Sequence, residues 1–452
     1  MRRVPQWGLF VMFLACSFQG ITPAAAREDG GGPEKRPEAL FLSPERAVEM
    51  ALDQSLNLQK SFIDLNTAGV AANNLWSEIF PDISLSGGVS YRTAGVAGTP
   101  AASGGFGYTA SIGLSLRLAA SLPQAMKIIE LSYRSQLLNY ESARRQLEIQ
   151  VIKTFFAILA ERRNLDHLEE IRTLAEQQFE RNQTAFANGL IGQIAVLQSR
   201  LGAETARLNL SRAEAAYKAG LREFLVLLGL DTGADARTET VLEGALEIAR
   251  IDADPEQLIR DHLAKRPDIV SQRQNIERLE LIRRQTVLGA RSPTVSLSAQ
   301  WNGTGPGTSG FTDTVSGSLS LAIPVESWIP GTKGHQALGA ADAGLEKARL
   351  DLKDAENRAV QEIRSLAENL KASWDGIEIA RLRVEIAERA YELTAEGFRN
   401  GMVESLALQE ARNDMAQARQ QLLDGELAYQ TMSLDLAAAL NIDWNAVTRS
   451  IR

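Results

Sequence analysis

The sequence predicts an α+β protein, mostly long α-helix with two β-hairpins, built as a tandem duplication. Three observations carry this. First, the chain repeats itself at a fixed offset: Pro81-Asp82-Ile83-Ser84-Leu85-Ser86 returns 212 residues later as Pro293-Thr294-Val295-Ser296-Leu297-Ser298. Phe186-Ala187-Asn188-Gly189 returns as Phe398-Arg399-Asn400-Gly401, and Leu228-Gly229-Leu230 as Leu440-Asn441-Ile442, at the same offset. Common residues match by chance, but a register held over some 180 residues does not. The period also far exceeds the roughly 20–50 residues of a solenoid. Second, after Pro81 and after Pro293 the apolar period drops from 3.6 to 2, the change from helix to strand. Third, residues 124–188 contain neither Gly nor Pro, room for one helix of about 100 Å at about 1.5 Å per residue.

Taken in order, residues 1–26 read as an export signal. Arg2 and Arg3 precede an apolar run from Trp7 to Phe18, too short to span a membrane as a helix, and Ala24-Ala25-Ala26 offers a cleavage site. The sole cysteine, Cys16, follows Phe13-Leu14-Ala15 and loosely resembles a lipoprotein box, so lipidation at Cys16 is the alternative to cleavage after Ala26. With a single cysteine no disulfide holds the fold. No later stretch reaches 18 apolar residues, so any membrane crossing falls to β-strands.

A linker (27–41) leads to repeat 1 (42–231). Ser43 and Pro44 predict a capped helix start, and the helical pattern runs to residue 79. A hairpin over 81–120 follows, with Ile83, Leu85, Val89 and Tyr91 alternating with Ser84, Ser86 and Ser90. Its return strand sets Ile112, Leu114, Leu116 and Leu118 against Ser111, Ser115 and Arg117. The long helix then carries Val151, Ile158, Leu165, Phe179 and Phe186 at seven-residue steps, a coiled-coil seam broken at Arg172. A tip at 186–190 breaks it, and a return helix of about 38 residues follows from Gln193. The opening helix is short enough to stack end to end on the return helix beside the long one. A connection (232–253) leads to repeat 2 (254–443), with a hairpin at 293–324, an interior weak point at Gly376, a tip at 398–402 and a tail at 444–452.

Strands of about ten residues, apolar on one face and small-polar on the other, are the pattern of a membrane β-strand with a lipid side and a wet side. A half-buried soluble hairpin follows the same pattern. Four strands cannot close a barrel alone, and open edges in lipid cost several kcal/mol per unpaired group. Two chains would give eight strands and a bore filled by side chains; three would give twelve and an aqueous bore.

The duplicated strand entry, the two Phe-x-Asn-Gly helix breaks and Arg266-Pro267-Asp268-Ile269 together resemble the TolC-like outer membrane efflux protein family, across essentially the whole mature chain. The resemblance implies a homotrimer with a twelve-stranded barrel in outer-membrane lipid, continuous with a periplasmic α-helical barrel. It implies a passive conduit in a tripartite efflux pump or type I secretion system of a diderm bacterium, exporting drugs, metals or proteins. Partners would be a periplasmic adaptor (membrane fusion protein) and an inner-membrane pump of RND, ABC or MFS type. Phe186, Gly189, Leu190, Phe398, Gly401 and Met402 become adaptor-contact positions at the tips. The family's acidic constriction, counted from Gly401, falls on Ala407 and Glu410, so Glu410 is the first ring candidate and Glu404 the second. One departure is plain: Pro324-Val325-Glu326-Ser327-Trp328-Ile329-Pro330-Gly331 replaces the family's shorter Pro-x-[Phe/Trp]-Asp-Gly-Gly turn into the long helix.

The net charge of −8, which loss of Arg2 and Arg3 would take to −10, excludes a general nucleic-acid surface. His167, His262 and His335 lack metal-ligand spacing, and Gly331-Thr332-Lys333-Gly334 lacks the spacing of a phosphate loop. No cofactor and no enzymatic activity are expected. The rival reading is a periplasmic coiled-coil structural or adaptor protein without a pore.

Overall fold

The computed structural model describes residues 40–92, 105–230, 240–246, 248–306 and 312–443. The signal segment with Cys16, nearly all of the 27–41 linker and the 444–452 tail lie outside the described residues. Repeat 1 comprises β1 (Leu40–Leu42), α1 (Pro44–Gln54), α2 (Leu56–Asn73), β2 (Asp82–Arg92), β3 (Gly105–Ala119), α3 (Leu122–Ala187) and α4 (Gln193–Leu227). Repeat 2 comprises β4 (Thr240–Leu242), α5 (Pro255–His262), α6 (Pro267–Arg291), β5 (Thr294–Pro306), β6 (Thr312–Ala322), α7 (Lys333–Arg399) and α8 (Ser405–Leu440).

The opening helix differs from the sequence reading. It divides at Ser55, whose backbone is extended and whose Oγ accepts from the Leu58 N–H at 3.4 Å, capping α2. Serine competes with helical bonding through its own hydroxyl, so it makes a boundary that apolar periodicity does not reveal. In repeat 2 the same division falls at Arg266, held extended by the following Pro267. Conversely, α7 continues for 67 residues through Gly376. One glycine costs about 1 kcal/mol against alanine, less than the packing of α7 on α6 and α8 supplies.

Each repeat is a tall two-helix column. Along α3, α4 covers the lower half and α2 the upper, where Phe62 meets Tyr140 and Gly69 lies against Tyr133. The two stack at Gly229, which ends α4 in the left-handed region (φ 80). A Cβ there would come within 2.6 Å of Gln54, so both conformation and space require glycine. The equivalent stop in repeat 2 is Asn441 (φ 56), a residue that tolerates this region, and it accepts from Arg145 of α3. Along α7, antiparallel α6 is registered by Arg283–Asp342, Glu280–Arg349 (3.3 Å) and Arg273–Glu356 (3.3 Å). Such exposed pairs contribute little energy each but fix alignment.

The core lies midway along the columns. Ile152, Phe155, Phe224 and Leu228 bury there with Leu42 and Leu242, which belong to a parallel β1–β4 pair that the sequence pattern did not reveal. A second cluster sets Ile363, Leu370 and Ile377 of α7 against Tyr429, Leu436 and Leu440 of α8. Beside it, Arg266 grips Asp268 with two hydrogen bonds (3.0 and 2.9 Å) and Glu362 with a third (2.7 Å). Burial penalises the Asp268 charge, but Arg266 outweighs it and holds the carboxyl below its ordinary range. A depressed folded pKa contributes stability that is complete above the ordinary carboxylate pKa and fades as pH falls below it. Arg266→Ala should therefore cost about 2 kcal/mol near neutral pH and flatten the acid limb of a stability–pH curve. Thermal melts at pH 7 and pH 3.5 read both effects; an equal loss at the two pH values would contradict the assignment.

β2, β3, β5 and β6 form one antiparallel sheet in that order, joining the two repeats through β3 and β5. Register aligns one face as Ile83↔Leu114, Leu85↔Ile112, Leu116↔Leu297, Trp301↔Val315 and Leu297↔Leu319. The other face aligns Ser86↔Ser111 and Ser298↔Ser318, whose hydroxyls bond across the strands at 2.6 and 2.7 Å. Leu85 and Val315 on the apolar face are each 80% exposed.

Candidate functional site

Three features bear on the expected duct: the sheet, the two tips, and a groove above the second tip. At the tips the chain reverses with the same geometry twice. Leu190 N–H bonds to the Ala185 carbonyl and Gly189 N–H to that of Phe186, while Gly189 takes φ 72. Met402, Gly397, Gly401 (φ 74) and Phe398 repeat the pattern. This left-handed helix stop explains both glycines by conformation alone, since no atom lies within 4 Å of a Cβ built on either. Of the six tip candidates, Phe186, Leu190 and Met402 expose apolar side chains, Gly189 and Gly401 are exposed, and Phe398 is half-buried.

Above the tips the two hairpins are bolted together. Asn182, fully buried, donates to the Ala195 carbonyl and to Ser405 Oγ (3.0 Å). Higher up, Arg419 of α8 reaches Glu170 of α3 (2.7 Å) and Glu388 of α7 (2.8 Å). His167 lies in the same web; burial first, and then Arg419, push its pKa down, favouring the neutral ring.

Glu410 lines an open groove of about 510 Å³ between α7 and α8, opposite Ile386 and Ala390. Its companion there is Asp414, one turn later on the same face, not Glu404. Glu404 sits exposed at the start of α8, six residues earlier and therefore about 120° around the axis from Glu410. The signal for Asp414 was in the sequence as an i, i+4 acidic pair. Counting only from the tip glycine missed it.

Two exposed apolar stripes complete the picture. Ile194, Leu197, Leu201 and Leu208 lie along α4, and Ile379, Leu382, Ile386 and Leu393 along α7, each at alternating three- and four-residue steps or their sum. Counted from the tip glycines, the first begins 5 and ends 19 residues away, the second 8 and 22. The two stripes thus stand at matching heights.

Among the described residues no helix is long and apolar enough to cross a membrane, and no cluster of His, Cys, Asp and Glu suits a metal ion. No curated protein matches the chain. Among solved structures, the Campylobacter jejuni CmeC outer membrane channel superposes with a TM-score of 0.72 at 17% identity, covering 90% of this chain and 89% of that one. The Vibrio cholerae outer membrane protein VceC gives 0.68 at 17% identity, over 89% and 96%. The Neisseria gonorrhoeae MtrE outer membrane channel, in its open state, gives 0.65 at 15%, over 88% and 89%. At these identities the likeness establishes the fold. The outer membrane efflux protein profile matches residues 47–230 and again 258–441, one match to each repeat. With both halves matched, this chain belongs to the outer membrane efflux protein family.

Proposed function

We propose that three copies of this chain close one twelve-stranded barrel, and that its bore continues through a helical tube to the tips in the periplasm. The four-stranded sheet carries the reading: one face is apolar but for Asp313 near its outer end, the other is rich in serine and threonine, and among the described residues both edge strands, β2 and β6, lack a neighbour. Hydrocarbon does not tolerate such edges, and twelve strands leave a wet bore where eight do not. The stripes on α4 and α7 support the same assembly, since neighbouring copies would zip them together as an antiparallel seam. A poreless scaffold has no use for a lipid-faced sheet.

In this reading residues 1–26 direct export, and the tips dock to a periplasmic adaptor through Phe186, Leu190 and Met402, with Phe398, Gly189 and Gly401 shaping the contact. The adaptor joins the duct to an inner-membrane pump of RND, ABC or MFS type, which supplies the energy and selects the cargo among drugs, metals or proteins. The test is the full-length protein in a planar lipid bilayer, together with its mass in detergent. Stepwise conductance from a trimer is expected; a monomer without conductance would overturn the proposal.

Glu410 and Asp414 from three copies would line the narrowest part of the duct and favour cations. At about 6 Å in water one such charge contributes roughly 0.7 kcal/mol, or about threefold in ion occupancy. Glu410→Gln with Asp414→Asn should therefore lower the potassium-to-chloride permeability ratio several-fold, read from reversal potentials. Glu404→Gln should leave it unchanged; the opposite ranking would return the role to Glu404.

A further inference from the structure

The elbow between β6 and α7 is built, not loose. Ser327 is buried and donates to the Ala290 carbonyl of α6 at 2.6 Å. A Cβ on Gly334 would come within 3.2 Å of the Ser327 backbone, so α7 begins tight against the elbow. Thr332 donates to the Glu326 carbonyl at 2.6 Å and caps α7 through the His335 N–H. This scaffold turns Trp328 and Ile329 outward, 64% and 56% exposed, continuing the apolar face of the sheet past Leu321 and Ile323. Arg291, the last residue of α6, lays its guanidinium over the Trp328 ring at 5.0 Å. Among the described residues it forms no ion pair, although Glu326 stands on the same elbow.

The start of the sheet has a counterpart. The turn before β2 exposes Trp76, Ile79 and Phe80, with the two rings edge to face at 5.5 Å. β2 and β6 are the two edges of the sheet, so closing a ring brings the Trp76–Phe80 turn of one copy beside the Trp328 elbow of the next. Both stand where barrel gives way to helix, at the level of the periplasmic leaflet. Tryptophan favours that interface, and a cation there meets lipid phosphates.

We propose that Arg291, held over Trp328, binds the headgroup of an anionic phospholipid at this rim, with Ile329 and the neighbouring copy's turn bracketing its acyl chains. The site rests on the membrane-barrel reading above. An arginine stacked on an indole keeps its donors free for the phosphate while the ring stabilises its charge.

The test is native mass spectrometry of the full-length protein in detergent, titrated with phosphatidylglycerol or with phosphatidylcholine of identical chains. Wild type should prefer phosphatidylglycerol by about fivefold. Arg291→Gln should abolish the preference, Trp328→Ala should weaken it, and Arg278→Gln, lower on the same helix and away from the sheet, should leave it intact. Equal binding of both lipids by wild type, or an undiminished preference in Arg291→Gln, would overturn the site. The same spectra count copies: a monomer with an Arg291-dependent preference keeps the site and sinks the ring, whereas a trimer without one sinks only the site.

Discussion

Leu319→Arg is expected to abolish the assembled oligomer, while Ser318→Arg, one residue away, leaves it intact. Leu319 pairs with Leu297 on the apolar face of the sheet and is 75% exposed within the single chain. Lipid is the environment that makes this exposure favourable. An arginine at mid-depth on a lipid face costs about 2–4 kcal/mol, and the cost recurs in every copy of a closed barrel. Ser318 points to the opposite face, where its hydroxyl meets that of Ser298. An arginine there enters water and forfeits one weak hydrogen bond. Heat-modifiable mobility in gels reads the difference directly. Equal loss in both variants, or tolerance of both, would mean that the faces have been assigned the wrong environments.

The second large effect is expected at Tyr429→Ala. This side chain is almost fully buried in α8 and meets Trp374 edge to face, with ring centroids 5.3 Å apart. Its hydroxyl accepts from the Ile251 N–H and donates to the Ala249 carbonyl, both at 2.9 Å, so it nails the connection between the repeats onto the helical column. Burial holds the phenol above its ordinary pKa, keeping it a donor at any physiological pH. Truncation to alanine should cost about 3–5 kcal/mol, by analogy with other large aromatic deletions. Tyr429→Phe should cost about 1–2 kcal/mol, because it leaves the half-buried Ile251 N–H and Ala249 carbonyl without their partner. Chemical denaturation followed by circular dichroism separates the two. Similar losses for both would place the value of the residue in its hydroxyl.

Tyr429 also marks where the sequence stops being legible. Tyr217 stands at the equivalent position of the first repeat, yet it is only half-buried. A repeat conserves residue type, while burial depends on what the connecting segments cover. The strands, the long helices and the two tips were readable because each is a local pattern: alternation, absence of breakers, and an Asn-Gly stop. The division at Ser55 was not, since a serine inside a helical stretch becomes a boundary only if its hydroxyl is used as a cap. The pairing of Glu410 with Asp414 depended on helix phase, which a count along the chain from the tip does not respect. The β1–β4 pair joins residues two hundred apart and left no periodic trace in strands of three residues. The elbow at Trp328 was visible only as a departure in length; its order comes from Ser327 reaching α6.

The β3–β5 ladder has a consequence for how the protein is made. It pairs Gly107 with Pro306 and Ala119 with Thr294, so the central seam of the sheet joins segments that leave the translocation machinery far apart in time. Closing loops of that length is slow compared with forming helices, whose contacts are local. The first hairpin alone offers two strands with both sides open, too little to enter a bilayer. The first hairpin therefore has no complete sheet to join until the second half of the chain has arrived.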